Sequence, residues 1–318
     1  MSATQGEPLR VLVTCRQMQN VMDQFRHRFD DAGVEVVEPE VVQQPSEKEL
    51  QGMIGNFDGM IAGDDPLTAG VLEHSGRLRI ISKWGVGTDG IDTEAAAARG
   101  IKVTRTPNVF GDEVADVAFG YVVMLARQLH RLHNSVAAGE WMKYQGSSLA
   151  GRTLGIIGLG DIGRAVARRG AGFGMELLGC DVVEPDATTL ALGLSPAPLS
   201  ELLEASDIIV LCCPLTTETR HVINAEALAK AKRGVHLVNV ARGPLIDERA
   251  LVDALRSGQV GAAGLDVFEE EPLPAGSPVR EFEQCVFGTH NGSNTREANL
   301  RASARAVDNV LAGLGVGS

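Results

Sequence analysis

The chain has 318 residues and a formal net charge of −12, with 44% hydrophobic and 22% charged residues. The length exceeds one ordinary core, so two domains are expected, and the composition is that of a globular protein. The acidic balance argues against non-specific binding to nucleic acid or to anionic membranes, both of which need a basic surface.

Taken in order, Leu9–Cys15 reads as a strand, 17–32 as a helix closed by Gly33, and Val34–Val37 as a second strand. Residues 47–54 have helical character, 59–63 form a third strand and 69–74 a short helix. A fourth strand, 78–84, runs into Gly85-Val-Gly87; a helix over 93–99 and a fifth strand over 101–104 follow. Strands alternating with helices imply parallel pairing. Residues 112–130 read as one long helix with apolar Val114, Val117, Phe119, Val122 and Leu125. Strands are expected at 154–157, 175–180, 208–211, 236–240, 262–267 and 285–287, and helices at 225–232, 247–257 and 295–311.

The five cysteines, Cys15, Cys180, Cys212, Cys213 and Cys285, lie mostly in apolar runs and read as reduced thiols. No His/Cys spacing suggests a metal site. Met1–Pro8 is polar without a basic-then-apolar signal, and no apolar stretch is long enough to span a bilayer. A cytoplasmic location is expected.

The most informative stretch is Gly158-Leu-Gly160-Asp-Ile-Gly163, directly after an apolar strand and before a helical run. In that setting the first glycine allows a tight turn, the second lets a pyrophosphate approach the backbone, and the third lets helix and strand pack closely. The helix start presents unpaired N–H groups to the phosphates. A second strand ends at Asp181, about 20 residues on, where an acceptor for a ribose 2′-hydroxyl belongs. A dinucleotide site is expected, for NAD rather than NADP, because Asp181 repels a 2′-phosphate and Val182 and Val183 supply no compensating cation.

Several further motifs accompany that turn: Lys83-Trp-Gly-Val-Gly-Thr-Asp89, Thr106-Pro-Asn108, Cys213-Pro-Leu-Thr-Thr-Glu-Thr219, Asn239-Val-Ala-Arg-Gly-Pro-Leu-Ile-Asp-Glu248, Gly264-Leu-Asp-Val-Phe-Glu-Glu-Glu-Pro272 and Thr289-His290. Together they resemble the D-2-hydroxyacid dehydrogenase family, which includes phosphoglycerate dehydrogenases and glyoxylate/hydroxypyruvate reductases. The resemblance implies an α/β chain of two Rossmann-like domains with parallel sheets: a discontinuous, flavodoxin-like substrate domain (1–103 and 290–318) and an NAD-binding domain (104–289), with the active site in the cleft between them. It implies a homodimer acting on a 2-hydroxy or 2-keto acid.

By the same resemblance, Arg242 binds the substrate carboxylate and carbonyl, as a bidentate guanidinium can. His290 exchanges the proton of the substrate oxygen, a task suited to imidazole near neutral pH. Glu271, directly before Pro272, orients that ring and favours its imidazolium form. Gly158, Gly160, Asp161, Ile162, Gly163, Asp181, Cys213, Pro214, Thr219, Ala241, Asp266 and Gly292 surround NAD, with Asp266 accepting from the carboxamide. Val86 and Gly87 form a backbone anion nest for the carboxylate, and Lys83 and Lys143 are candidates for a substrate phosphate.

Asp161 stands where many relatives carry Arg, Asn291 replaces a small or apolar residue, and Gly63-Asp-Asp occupies a stretch where some phosphoglycerate enzymes carry Arg. The sequence ends at Ser318 without the regulatory domain of some of those enzymes. A phosphoglycerate dehydrogenase-like activity is expected, with a glyoxylate/hydroxypyruvate reductase or a dinucleotide-sensing corepressor-like protein as alternatives. Glu271 disfavours a formate dehydrogenase, whose relatives carry Gln there.

Overall fold

The computed structural model describes residues 7–41 and 44–317, so most of the Met1–Pro8 segment lies outside the described residues. The chain divides into two compact units, one of 1–109 with 294–318 and one of 110–293. Strand 102–105 runs through residue 103, and the first unit continues to Val109.

The first unit contains β1 (Leu9–Val13), α1 (Arg16–Gln19), α2 (Arg26–Asp31), β2 (Val34–Val37), α3 (Glu47–Met53), β3 (Gly59–Ala62), α4 (Ala69–Leu72), β4 (Ile80–Lys83), α5 (Thr93–Ala98) and β5 (Lys102–Arg105). Its five strands are all parallel, in the order β2-β1-β3-β4-β5. This is the flavodoxin-like doubly wound order. Strands of such a sheet are covered on both faces and read as continuous apolar runs; β3 and β4 are buried at every position. Residues 17–32 are not one helix: the chain leaves helical dihedrals at Val21 (φ −124°). A 3₁₀ turn at Met22–Gln24 then joins α1 to α2, with Met18, Met22, Phe25 and Phe29 all buried. Ser46 and Glu49 form a reciprocal capping box at the start of α3.

The second unit contains α6 (Gly111–Arg127), α7 (Leu129–Ala137), β6 (Thr153–Ile157), α8 (Asp161–Gly172), β7 (Glu176–Cys180), α9 (Ala187–Leu190), β8 (Leu194–Pro196), α10 (Leu199–Ala205), β9 (Ile208–Leu211), α11 (Ala225–Lys230), β10 (Val235–Asn239), α12 (Glu248–Ser257), β11 (Val260–Leu265) and β12 (Val286–Phe287). Its seven parallel strands run β12-β11-β10-β9-β6-β7-β8. Renumbered from β6, this is the dinucleotide-binding order with one strand added, and it reverses between β6 and β9. The last helix, α13 (Arg296–Leu314), belongs to the first unit, where it packs on β3 and β4. Ser82 Oγ donates to Ala306 O at 3.0 Å, and Trp84 Nε1 to Ser303 Oγ at 3.1 Å.

Two further differences from the sequence reading have clear causes. The helix expected over 112–130 breaks at Gln128, which takes the left-handed conformation (φ 52°). No glycine or proline marks that break; the Gln128 side chain holds it by donating to Gln145 O and accepting from Arg131, and α7 continues beyond. The 182–206 stretch, to which the sequence reading assigns no element, contains α9, β8 and α10. Its strand is a three-residue edge strand ending in Pro196, where a missing N–H costs no ladder bond. Among the described residues, no helix is long and apolar enough to cross a membrane, and no group of His, Cys, Asp and Glu is placed to hold a metal ion.

Asp58, at the entrance to β3, anchors the first unit. Its carboxylate accepts from Arg77 Nε (3.1 Å), Arg77 Nη2 (2.9 Å) and the Arg10 N–H (2.9 Å). Burial opposes the charge, but the Arg77 and Arg10 bonds outweigh it and hold the carboxyl below its ordinary range. A depressed folded pKa contributes stability that is present above the unfolded value of about 3.9 and lost as pH falls through the folded one. Asp58→Asn should lower the unfolding free energy by about 1–3 kcal/mol at pH 7. In urea titrations at pH 7 and pH 3 the gap should narrow at the lower pH; an equal gap would contradict this account.

Candidate functional site

The parallel strands of the second unit deliver their carboxyl ends to one edge, and the order of the sheet fixes the order of the site. Along that edge come His290 after β12, Glu271 after β11, Arg242 after β10, the 213–219 loop after β9, the glycine turn after β6 and Asp181 after β7. Ligands of open α/β sheets bind at this edge, near the point where the order reverses.

The glycine turn has the shape its sequence demands. Gly158 has φ +94°, and a Cβ there would lie 2.5 Å from the Cys213 nitrogen. A Cβ on Gly163 would overlap the Gly158 carbonyl, whereas one on Gly160 would meet nothing within 4 Å. The turn is therefore closed on the protein side at Gly158 and Gly163 and open on the ligand side at Gly160, whose following residues Asp161 and Ile162 begin α8. Asp161 turns away from that opening. Its carboxylate lies against Gly111, the first residue of α6, where a helix start favours negative charge. Asp181 is exposed and fixed from both sides: Oδ2 accepts from Leu159 N at 2.5 Å and Oδ1 from Val183 N at 3.0 Å. Beside it is an open cavity of about 280 Å³ whose lining mixes apolar Leu159, Val183, Pro196 and Pro198 with the carboxylates of Asp181 and Glu184. Open glycine, helix N-terminus, carboxylate and cavity together fit a dinucleotide.

Cys213 is buried behind the turn, and burial pushes its thiol up to about 11. It serves as packing rather than as a reactive thiolate. Thr219 closes the next loop by donating from Oγ1 to Pro214 O at 2.7 Å and accepting from Thr216 N at 2.7 Å.

Arg242 follows β10 in extended conformation (φ −143°) and caps a 3₁₀ turn over Gly243–Leu245. Its Nη1 donates to Ala241 O at 2.7 Å. Asn239, 1% exposed, holds this turn with both ends of its amide: Nδ2 donates to Arg242 O at 2.8 Å, and Oδ1 accepts from Ala241 N at 3.1 Å. The sequence analysis assigns no role to Asn239, although a buried amide at a strand's carboxyl end was the available signal. Gly243 packs against the next loop so closely that a Cβ would collide with the Phe268 carbonyl group and the Glu269 nitrogen.

In that loop Glu271 Oε1 accepts from Phe268 N at 2.9 Å, and Oε2 meets His290 Nδ1 at 2.8 Å. His290 itself has φ +54°, a conformation uncommon for a residue with a Cβ. Its N–H donates to Asp266 O at 2.7 Å. Asp266 is 3% exposed; Oδ1 accepts from Tyr121 Oη at 3.2 Å and Oδ2 from Gly292 N at 2.9 Å. Tyr121, on α6, is a second residue the sequence analysis missed. Burial and the Asp266 carboxylate both push its phenol far above the usual range, so it stays a donor.

The remaining candidates lie elsewhere. Lys83 and the Val86–Gly87 turn belong to the first unit. Lys83 is 5% exposed, and its Nζ donates to Asp64 Oδ1 at 2.9 Å and Trp84 O at 3.2 Å. The turn is anchored by Thr106, whose Oγ1 accepts from Gly85 N at 2.9 Å. Lys143 is exposed in the second unit, in a segment without regular structure after α7.

Residues 119–292 match the family model described as "D-isomer specific 2-hydroxyacid dehydrogenase, NAD binding domain". The chain is 40% identical over 275 residues to a glyoxylate reductase of Korarchaeum cryptofilum, covering 84% of this chain and 83% of that protein. It is 40% identical over 286 residues to a hydroxypyruvate reductase of Thermotoga maritima, with 88% and 92% covered. Among solved structures it resembles a D-lactate dehydrogenase from Aquifex aeolicus complexed with NAD and lactic acid, with a TM-score of 0.85, 28% identity and 96% and 95% of the chains covered.

The glycine turn separates two effects that substitutions usually mix. Gly163→Ala should both destabilise the second unit, as overpacking does by about 1–3 kcal/mol, and weaken NADH binding at least about tenfold. Gly160→Ala should weaken binding similarly while leaving the melting temperature nearly unchanged, because its Cβ enters open space. NADH fluorescence titration alongside thermal melts reads both; an equal loss of stability in the two variants would contradict the assignment.

Proposed function

The chain belongs to the D-isomer-specific 2-hydroxyacid dehydrogenase family, and on that premise we propose that it interconverts a small unphosphorylated D-2-hydroxy acid and its 2-keto acid, glyoxylate or hydroxypyruvate being the keto substrate. Like the family, it is an NAD-dependent oxidoreductase. NAD, when bound along the edge from Asp181 to Gly292, supplies or accepts the hydride.

The single observation that carries the catalytic reading is the Glu271–His290 hydrogen bond of 2.8 Å, on the loop against which the Arg242 turn is packed. Glu271 engages Nδ1, so Nε2 is assigned to the substrate oxygen. There His290 gives a proton during reduction and removes it during oxidation. Glu271 fixes the ring's tautomer and favours its charged form, while the Phe268 N–H holds Glu271 in register. Arg242 grips the carboxylate and polarises the adjoining carbonyl, a bidentate role that lysine does not reproduce. Asp266 has second lone pairs for a carboxamide N–H beyond its bonds to Tyr121 and Gly292.

The unphosphorylated substrate is argued from Lys83. The cation best placed in the sequence for a phosphate is buried and neutralised by Asp64. Asp64 and Asp65 add negative charge at the position where an arginine would otherwise stand. The relatives named glyoxylate reductase and hydroxypyruvate reductase support the same choice. A homodimer in the cytoplasm completes the reading, supported by the apolar residues Trp141, Met142 and Val136 left exposed on the second unit.

Steady-state assays with NADH test both halves. His290→Ala should lower kcat by about 10² to 10⁴ while NADH still binds, and Arg242→Lys should raise KM for the keto acid as well as lower kcat. Unchanged turnover in His290→Ala removes the acid–base assignment. A phosphorylated 2-keto acid reduced with a higher kcat/KM than glyoxylate and hydroxypyruvate removes the substrate assignment.

A further inference from the structure

A second histidine–glutamate pair lies on the catalytic loop and has no part in the reading above. His221 Nε2 meets Glu269 Oε1 at 2.5 Å, two residues before Glu271. His221 takes the left-handed conformation (φ 53°), and its own N–H donates to Pro244 O at 2.8 Å, in the turn that begins at Arg242. The next residues stitch the same two loops: Ile223 N donates to Leu245 O, and Asp247 N to Ile223 O, each at 3.0 Å. From the other side Glu269 N donates to Glu248 Oε1 at 2.7 Å. One residue, His221, therefore touches the Arg242 turn through its backbone and the Glu271 loop through its ring. Its unusual φ makes both possible at once.

We propose that His221 and Glu269 form a positioning pair that clamps the Glu271 loop to the Arg242 turn and balances the charge of the acidic run beside His290. The proposal rests on the acid–base role assigned to His290 and Glu271.

The geometric part follows from the packing. Gly243 already abuts Phe268 and Glu269, and the Phe268 ring packs against Phe287 with centroids 6.1 Å apart. In the exposed remainder of the loop, Glu269 to Pro272, His290 meets Glu271, while Glu248 and His221 hold Glu269. The electrostatic part follows from the count of charges. Glu269, Glu270 and Glu271 on the loop and Glu248 on α12 are four carboxylates in one cluster. Burial pushes Glu248 up, and repulsion from its three neighbours adds to that shift. The cations of the adjoining loops are Arg220, next to His221, and Arg242. His221 is the group that meets the run directly, and when protonated it makes its pair with Glu269 neutral.

Removing either partner therefore changes the field at His290 in opposite directions. His221→Gln keeps a donor for Glu269 but forfeits the charge that a protonated ring sets against the carboxylate, and that loss favours the imidazolium of His290. The alkaline limb of kcat for keto-acid reduction should move up by about half a pH unit. Glu269→Gln removes a negative charge, and the limb should move down by a similar amount. Both shifts should shrink in high salt, because the pair is about one-third exposed. Glu269→Ala also removes the clamp and should lower kcat about tenfold at the optimum with little change in KM for NADH, a loss that Glu269→Gln largely restores.

The experiment is kcat against pH for the full-length enzyme and these three variants at low and high ionic strength, with thermal melts and His290→Ala as a control. Opposite limb shifts in the two Gln variants support the proposal even if Glu269→Ala does not fold. Superimposed or parallel limbs, or wild-type kcat in a folded Glu269→Ala, overturn it. Full turnover in His290→Ala instead overturns the reading beneath it, so the two failures are told apart.

Discussion

Glu271 joins the backbone of its own loop to the imidazole of another: one carboxylate oxygen accepts the Phe268 N–H, the other meets His290 Nδ1. The rest of the candidate site depends on this bridge, because the acid–base role proposed for His290 needs a defined tautomer and direction. The bridge has its place only because β11 and β12 are adjacent and parallel, so their carboxyl-end loops leave the sheet side by side. Asp266 completes the joint by taking the His290 N–H on its carbonyl and the Gly292 N–H on its carboxylate. The left-handed dihedral of His290 is thus flanked by one backbone bond, one backbone-to-carboxylate bond and one side-chain bond.

The same logic of adjacency organises the rest of the edge. Asn239 shapes the Arg242 turn after β10, and Gly243 lets that turn settle against Phe268 after β11. At the reversal between β6 and β9, Gly158 allows the turn to press against Cys213, and Gly163 allows α8 to press against the turn. The first unit shows a related economy: Thr106 anchors the Gly85–Gly87 turn, and Lys83 is consumed within the fold by Asp64.

Much of this was legible in the chain itself. The apolar runs located every strand except β8, whose three residues end in a proline and carry almost no periodic signal. Most helix interiors were readable from their apolar spacing, but α9 and α10 were not, and neither were two breaks. Val21 and Gln128 interrupt helices without glycine or proline, for reasons of packing and of side-chain bonds to distant residues. Glu271 was singled out among three acids by its place before Pro272, and its partner His290 by the Thr289-His290 motif. Tyr121 went unassigned because it works through Asp266, 145 residues away and brought near only by the fold; Asn239 bonds to residues two and three ahead, so its signal was local and was passed over. The direction of the Asp161 side chain was not legible in the chain; its carboxylate lies against Gly111 at the start of α6.

Sequence alone determined the chemistry on offer: a phosphate-cradling turn, an acid at the following strand end, an arginine, a histidine and a carboxylate at strand ends. Those follow from local pattern, since strand, turn and helix are short-range properties of the chain. Only the tertiary structure decided that a second glutamate of the run, Glu269, meets His221, and that Lys83 is buried against an aspartate. Such choices depend on the order in which parallel strands assemble, and strand order is set by long-range pairing that no local stretch encodes.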